Sequence, residues 1–271
     1  MSTTPTPTLA KIALGALITR IREASGKDRG EVAEALGIDT ETVRRWEIGK
    51  IAPKRMAIEA IARFLDASPA ELSRMTTLSL ESKQRGMFER NSVPPDLRVL
   101  YETEATARLI RSLELEYIPG LLQTPEYHLT AQNAQVPIDE GHAATLRSVR
   151  TRRQEIVFSR KSLPKMLFII GRAALLYLDD LPEVKDGQIA RLMEAAARPE
   201  IEIRVITGLH AAMLGSFTIL TPQAKTGARP FTYVEDIDGG RYVEGELVSQ
   251  YEEVINLVRD QQSIELEEYL Q

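Results

Sequence analysis

Gly37-Ile38-Asp39-Thr40-Glu41-Thr42-Val43-Arg44-Arg45-Trp46-Glu47-Ile48-Gly49-Lys50 is the stretch on which the reading of this chain turns. Gly37 can adopt the positive φ that closes a helix. Asp39 is placed to cap the next one, its carboxylate accepting from backbone N–H groups that have no partner inside the helix. Val43 and Trp46, three residues apart, then point inward, and Thr40, Glu41, Arg44 and Arg45 are left on the outer face. A short helix that buries one narrow stripe and presents donors and acceptors near its start suits the major groove of a duplex.

Working outward, the segment just upstream supplies a partner helix. Asp28-Arg29-Gly30-Glu31 has the form of a capping box, with Asp28 as N-cap and Glu31 at the third helical position. Val32, Ala33 and Leu36 form a small apolar face, and Ala33 leaves room for a close helix crossing. Helix, glycine turn and second short helix together predict a helix-turn-helix. The net charge of the whole chain is −5, which by itself argues against a nucleic-acid partner. Charge is better counted by domain. Residues 11–66 hold eleven Lys and Arg against nine Asp and Glu, a mild excess. The positives gather in and just after the second helix, at Arg44, Arg45, Lys50, Lys54 and Arg55.

With these residues in place, the stretch from about 12 to 75 resembles the five-helix Xre-type domain of the lambda-repressor/Cro-like family. Leu14-Gly15, Ile18 and Ile21-Arg22-Glu23 resemble its first helix. The resemblance implies that Thr40, Glu41 and Arg45 read base edges and that Arg44 contacts base or phosphate. Lys50 and Lys54 follow as backbone contacts. Arg29 stands where a Gln usually holds a phosphate, and an Arg could make that bond with charge assistance. Arg22 and Glu47 match a pair that in this family often joins the first and third helices.

At 271 residues the chain has the length of two domains. Its 43% hydrophobic and 27% charged residues are those of a globular protein. Cysteine is absent, so disulfides, thiolate metal sites and a cysteine nucleophile are excluded, which fits a cytoplasmic protein. No run of 18 apolar residues suggests a membrane span. Met1 to Thr8 is rich in Thr and Pro without a signal-peptide pattern, and residues 1–10 are expected to be disordered.

Farther along, a fourth helix is expected over Arg55 to Leu65. A short fifth helix starts at the capping box Ser68-Pro69-Ala70-Glu71. This bounds the first domain at 11–75. Residues 76–95 read as a polar linker with a Pro-Pro break, and 96–271 as a second domain. The second domain opens on an amphipathic helix over Leu97 to Glu114. Helices from Pro125 to about Gln135 and from Asp139 to Lys161 follow. Five β-like runs come next, at Lys165–Ile170, Ile201–Thr207, Ser216–Thr221, Phe231–Glu235 and Arg241–Glu244. A helix over Val184–Ala197 allows the first two to be parallel, and Asp238-Gly239-Gly240 marks a hairpin. A last helix over Leu247–Arg259 precedes an acidic tail. The expected class is α+β: an all-α head, then a mixed α/β domain with a mainly antiparallel sheet of about five strands.

The second domain also resembles a known one. Glu102-Thr103-Glu104-Ala105, Ile118-Pro119-Gly120-Leu121-Leu122-Gln123-Thr124 with Tyr127, then Arg150, Arg153 and Gln154, Gly215-Ser216-Phe217-Thr218 and Tyr233-Val234-Glu235 are similar to the Scr-type antitoxin-like domain. Actinobacterial regulators carry that domain behind an Xre-type head. The resemblance implies a small protein partner encoded nearby. One recognition helix has few contacts to double-stranded DNA, so a homodimer is expected as well, joined through the second domain, which holds most of the apolar surface. The chain departs from the family at Met87-Phe88, where a Trp pair is usual, and at Gly171-Arg172, where acids are usual.

Enzyme readings find no support in the sequence. The three histidines, His128, His142 and His210, have no His or Cys at ligand spacing, so no metal site is expected. No nucleophile elbow, P-loop or dinucleotide fingerprint is present, and no cofactor is expected. Gln123, Tyr127, Arg150 and Arg153 are the candidates for a ligand or partner. The same residues also read as a turn with core packing and as a charged helix face. Three functions of different kinds remain: a DNA-binding regulator with a protein partner, a one-component regulator whose second domain senses a small molecule, and a recruitment protein using the helix-turn-helix as a protein-binding fold.

Overall fold

Local capping chemistry starts the helices of the first part of the chain. In the computed structural model, which describes residues 7–82, 95–134, 140–224, 228–236 and 239–271, both capping boxes form. Asp28 accepts from Glu31 N at 2.8 Å while Glu31 Oε2 accepts from Asp28 N at 2.8 Å. Ser68 and Glu71 repeat the arrangement. The five helices are α1 (Pro7–Ala24), α2 (Arg29–Leu36), α3 (Thr40–Glu47), α4 (Arg55–Phe64) and α5 (Pro69–Glu81). Gly37 ends α2 in the left-handed region at φ 66°, as a tight turn into α3 requires. Their apolar stripes meet in one core of Leu14, Ile18, Ile21, Val32, Val43, Trp46, Ile58, Ile61, Met75 and Leu78.

Two expectations about this region need correction. Residues 7–10, expected in a disordered terminus, are the first turn of α1, and Ala10 is fully buried. Met1–Thr6 lie outside the described residues. The fifth helix is not short: it continues past residue 75 to Glu81, through part of the expected linker. Met75 and Leu78 extend one apolar stripe at i, i+3, both are buried in the head core, and Ser79 Oγ donates to Pro53 O at 3.2 Å. The rest of the linker expectation, with Met87-Phe88 and most of the Pro-Pro break, falls outside the described residues.

The chain clusters into two compact units, Met1–Glu89 with Pro222–Arg229 and Arg90–Thr221 with Pro230–Gln271. The second is built on a seven-stranded mixed sheet, where about five strands were expected. In chain order the strands are β1 (Leu109–Glu114), β2 (Lys165–Gly171), β3 (Ile201–Ile206), β4 (Phe217–Thr221), β5 (Phe231–Asp236), β6 (Gly239–Val243) and β7 (Ser263–Glu265). Their spatial order is β6-β5-β4-β1-β2-β3-β7. β1–β2 and β2–β3 are parallel, and the other pairings are antiparallel. The two residues joining β5 to β6, 237–238, lie outside the described residues, and with them the start of the expected hairpin turn.

The two strands missing from the sequence reading have different causes. β1 lay inside the expected helix 97–114, which stops ten residues sooner as α6 (Pro95–Glu104). Leu109–Glu114 instead sits at the centre of the sheet between β2 and β4, where the backbone pairing on both edges outweighs a weak helical period. β7 lay in the expected acidic tail and closes the β3 edge.

Alternation along the strands separates two faces. Leu113, Leu167, Ile169, Ile206, Phe217 and Ile219 pack on α11 (Leu247–Gln261) through Val248, Ile255 and Val258. Ile110, Ser112, Met166 and Phe168 point to the opposite side. The unit also contains α7 (Pro125–Asn133), α8 (Glu140–Phe158) and α10 (Pro182–Ala196), the last being the crossover that lets β2 and β3 run parallel. A short α9 (Arg172–Leu176) follows β2, and α12 (Leu266–Tyr269) ends the chain. Among the described residues no helix is long and apolar enough to cross a membrane.

Candidate functional site

The outward face of α3 is set by its cap and its buried stripe. Asp39 Oδ1 accepts from Thr42 N at 2.7 Å, which fixes where the helix begins. Val43 is fully buried and Trp46 is 7% exposed, so the indole packs in the core. Thr40, Glu41, Arg44 and Arg45 are exposed together. Glu41 accepts from Arg44 Nε at 2.6 Å and Nη2 at 2.7 Å, and from Arg45 Nε at 3.0 Å. The hydrogen bond from Arg44, then that from Arg45, holds the Glu41 carboxyl down at about 2. Ion pairs this exposed are worth little in water, so both guanidinium groups can leave Glu41 for a phosphate or a base edge.

A buried carboxylate fixes the seating of this helix. Glu47, at the end of α3, accepts from Arg22 Nε on α1 at 2.5 Å. It also accepts from Arg29 Nε at 2.5 Å. Arg22 and Glu47 are the pair that the family resemblance implied. Arg29, named from the sequence as a phosphate contact, has its Nε on Glu47 Oε2, which also accepts from Arg22 Nη2 at 3.4 Å. Close packing of α1 on α3 depends on Gly15: a Cβ there would sit 2.2 Å from Glu47 O and 2.5 Å from Trp46 O.

Lys50 and Lys54 share one shallow depression with Lys11, lined by Ile51, Ala52, Pro53, Ser79 and Ser82. Lys54 is the N-cap of α4 and makes no side-chain capping bond. Sequence reading missed Lys11. It lies almost forty residues before Lys50, and only the packing of α1 brings it beside the α3–α4 loop.

In the second unit the sequence candidates converge on the loop Ile118–Thr124. Gln123 Nε2 donates to Ile118 O at 2.7 Å, and Tyr127 Oη accepts from Ile118 N at 3.2 Å. Gln154 Nε2 donates to Gly120 O at 2.9 Å and Gln123 O at 2.8 Å. Gln188 on α10 accepts from Thr124 N and donates to Leu122 O, both at 2.9 Å. Gln123 and Tyr127 therefore hold a turn. A Cβ at Gly120 would meet Arg153 Nη1 at 2.7 Å and Arg150 Nη1 at 3.0 Å, so a larger residue there would push on both guanidinium groups.

The two arginines beside that turn differ in their partners. Arg153 donates through Nε and Nη2 to both oxygens of Glu104, each at 2.6 Å, and lies over the Tyr101 ring at 4.3 Å. Glu104 is a functional neighbour that sequence reading did not assign to Arg153. Arg150 donates to Gln123 Oε1. Glu114, at the end of β1, is raised to about 7 by burial, against a hydrogen bond from Ser216 that lowers it. Burial and the nearby Arg150 and Arg147 charges lower His128 to about 4. Arg172 is exposed at the start of α9.

Comparison with known proteins supplies two matches. A model described as a helix-turn-helix domain matches residues 13–75. A model described as a domain of unknown function, DUF5753, matches residues 97–262, more than half of the chain. The chain belongs to this second family and carries a helix-turn-helix DNA-binding head in front of the shared domain. No curated protein and no solved structure matches it.

Proposed function

We propose that the chain is an Xre-type transcription regulator that reads one DNA sequence with α3. In this reading the second unit forms a homodimer and binds a small protein partner, in the manner of an antitoxin. The observation that carries the DNA part is the geometry of α3: Val43, Trp46 and Glu47 are buried, and Thr40, Glu41, Arg44 and Arg45 share the exposed face. Lys11, Lys50 and Lys54 flank that face as anchors for the phosphate backbone. The test is a gel shift on the DNA upstream of the protein's own coding sequence, with and without the product of a neighbouring small reading frame. A band that resists random competitor supports the reading, and equal competition by random DNA overturns it.

A second reading, a one-component regulator whose second unit senses a small molecule, is favoured by one feature. Arg150 is partly buried, makes no ion pair among the described residues and donates to a neutral amide, Gln123 Oε1.

A further inference from the structure

We propose that the apolar face at the carboxyl ends of β1, β2 and β3, centred on the loop between β3 and β4, is where a second copy of this chain docks. The inference rests on the reading of the second unit as a dimeriser and gives that dimer its surface.

Topology assembles the face. β1, β2 and β3 are parallel neighbours, so their carboxyl ends lie together. β4 pairs with β1 on the other side. The loop from β3 to β4 therefore passes over the ends of β2 and β1, about three strand spacings of roughly 4.8 Å each. Hydrogen bonds hold it there. Ser216 Oγ accepts from Leu115 N, just past β1, at 3.0 Å. Gln262 Oε1 accepts from Ala211 N at 2.8 Å, and Ala212 is buried in the core that packs on α11. β1 and β2 are tightly apposed at this end, since a Cβ on Gly171 would meet Leu115 O at 2.1 Å. Tyr177 Oη, past β2, donates to Glu116 Oε2, past β1, at 2.7 Å.

The side chains on this face are not those of a solvated loop. Among the described residues, three of the four most exposed large apolar side chains belong to this one loop: Leu209 at 85%, Met213 at 60% and Leu214, which is fully exposed. Tyr117, Leu176 and Tyr177, which follow β1 and β2, add three half-exposed groups. Apolar residues scattered singly over a surface are ordinary. Six gathered at one end of a sheet, on a loop whose backbone is anchored, mark a surface that another protein covers.

Charge selects the second copy. Residues 205–224 are the longest run of the chain without Asp, Glu, Lys or Arg. The one titratable group of the loop, His210, is held toward its neutral form by burial. A two-fold interface brings the same patch against itself, so any net charge at its centre would meet its like. This centre carries none, in a chain whose net charge is −5. The edge carries both signs. Arg172 starts α9, and Asp180 ends the helical turn Tyr177–Asp180 that follows it. Both are exposed, and neither makes an ion pair among the described residues, whereas Asp179 is taken by Lys185. Across a two-fold axis Arg172 of one copy can meet Asp180 of the other, and the reverse, which fixes the register of an apolar contact. A strongly acidic or basic partner would find no matching field on this face.

The test is sedimentation of the full chain without DNA over a range of concentrations. The parent chain should pass from monomer to dimer. Leu209→Glu combined with Leu214→Glu, at two positions outside the core, should weaken self-association by roughly tenfold or more, with the melting of the monomer unchanged. Arg172→Asp and Asp180→Arg should each weaken it as well, since each sets like charges opposite one another. Mixed in equal amounts, those two variants should recover a dimer, because every pair across the axis is then opposite in sign. If the Leu209 and Leu214 double variant does not fold, the Arg172 and Asp180 variants, changed only at exposed side chains, carry the test. A parent chain that stays monomeric overturns the dimer reading and this surface together. A parent dimer that the substitutions leave intact, or charge variants that the mixture does not restore, overturns the surface alone. Loss of binding to the product of a neighbouring small reading frame, with self-association unchanged, also overturns it and gives the face to that partner.

Discussion

Arg22 on the first helix and Glu47 at the end of the recognition helix are joined by a 2.5 Å hydrogen bond from Nε, with the Glu47 side chain 1% exposed. Among the described residues no other ion pair this deeply buried links α3 to α1. The helix proposed to read DNA is thus seated by a carboxylate on its buried side.

Removing that carboxylate should damage the head more than an exposed ion pair would. Glu47→Ala leaves Arg22 buried without its partner and also releases Arg29, so a loss of roughly 3–5 kcal/mol is expected. Trp46 is the only tryptophan and lies in the same core. Its fluorescence during urea unfolding of the full chain reports on this unit. An unshifted Trp46 midpoint would show that the pair contributes nothing.

Arg45 should separate specific from non-specific binding. Arg45→Ala is expected to cost about 1–3 kcal/mol on the operator and little on random DNA. Equal losses on both would make Arg45 a phosphate contact.

Glu41 should act as a brake on the two arginines that it holds. Glu41→Gln frees Arg44 and Arg45, so affinity for random DNA should rise and its salt dependence should steepen. A carboxyl held down at about 2 contributes its pairing above its unfolded value and loses it only as pH falls through about 2. This brake should therefore be constant from pH 5 to 8. Binding by the Glu41→Gln variant that matches the parent at every salt concentration would count against it.

Two buried groups of the second unit should give opposite pH dependences. Glu114 is raised to about 7, so its contribution is fully present below about 4.5 and is lost as pH rises through 7. His128 is lowered to about 4, so the unit loses stability as pH falls from about 6.5 through 4. Glu114→Gln should remove a decline on the order of 2–3 kcal/mol between pH 5 and 8. His128→Gln should flatten the acid limb instead. Calorimetric melts from pH 4 to 8 distinguish them, and identical profiles for parent and variants would contradict both assignments.

Assembly can be tested by truncation at Ser82, where α5 is complete and Ser82 Oγ donates to Ser79 O at 2.7 Å. One short helix reads few base pairs. Two heads spaced about 34 Å apart on an inverted repeat would double the contacts. The truncated head should fold, sediment as a monomer and lose most operator affinity. A truncated head that dimerises and binds as tightly as the full chain would rule out dimerisation through the second unit.

The features legible in the sequence are those written within a turn of helix. The caps at Asp28, Asp39 and Ser68, the left-handed Gly37, the inward Val43 and Trp46 and the outward Arg44 and Arg45 depend on neighbours three or four residues away. A sequence shows those directly. Tertiary structure alone decided matters that depend on distant partners. Arg29 goes to Glu47 because packing of α2 on α3 places a buried oxygen beside it. Leu109–Glu114 becomes a central strand because β2 and β4 offer hydrogen bonds on both sides. Arg153 finds Glu104 across a separation of 49 residues, and Arg150, three residues earlier on the same helix, finds only an amide. On the helix the two read as equals. The fold makes one a bidentate ion pair and gives the other a neutral amide as its hydrogen-bond partner, since the choice of partner is a property of packing and not of spacing.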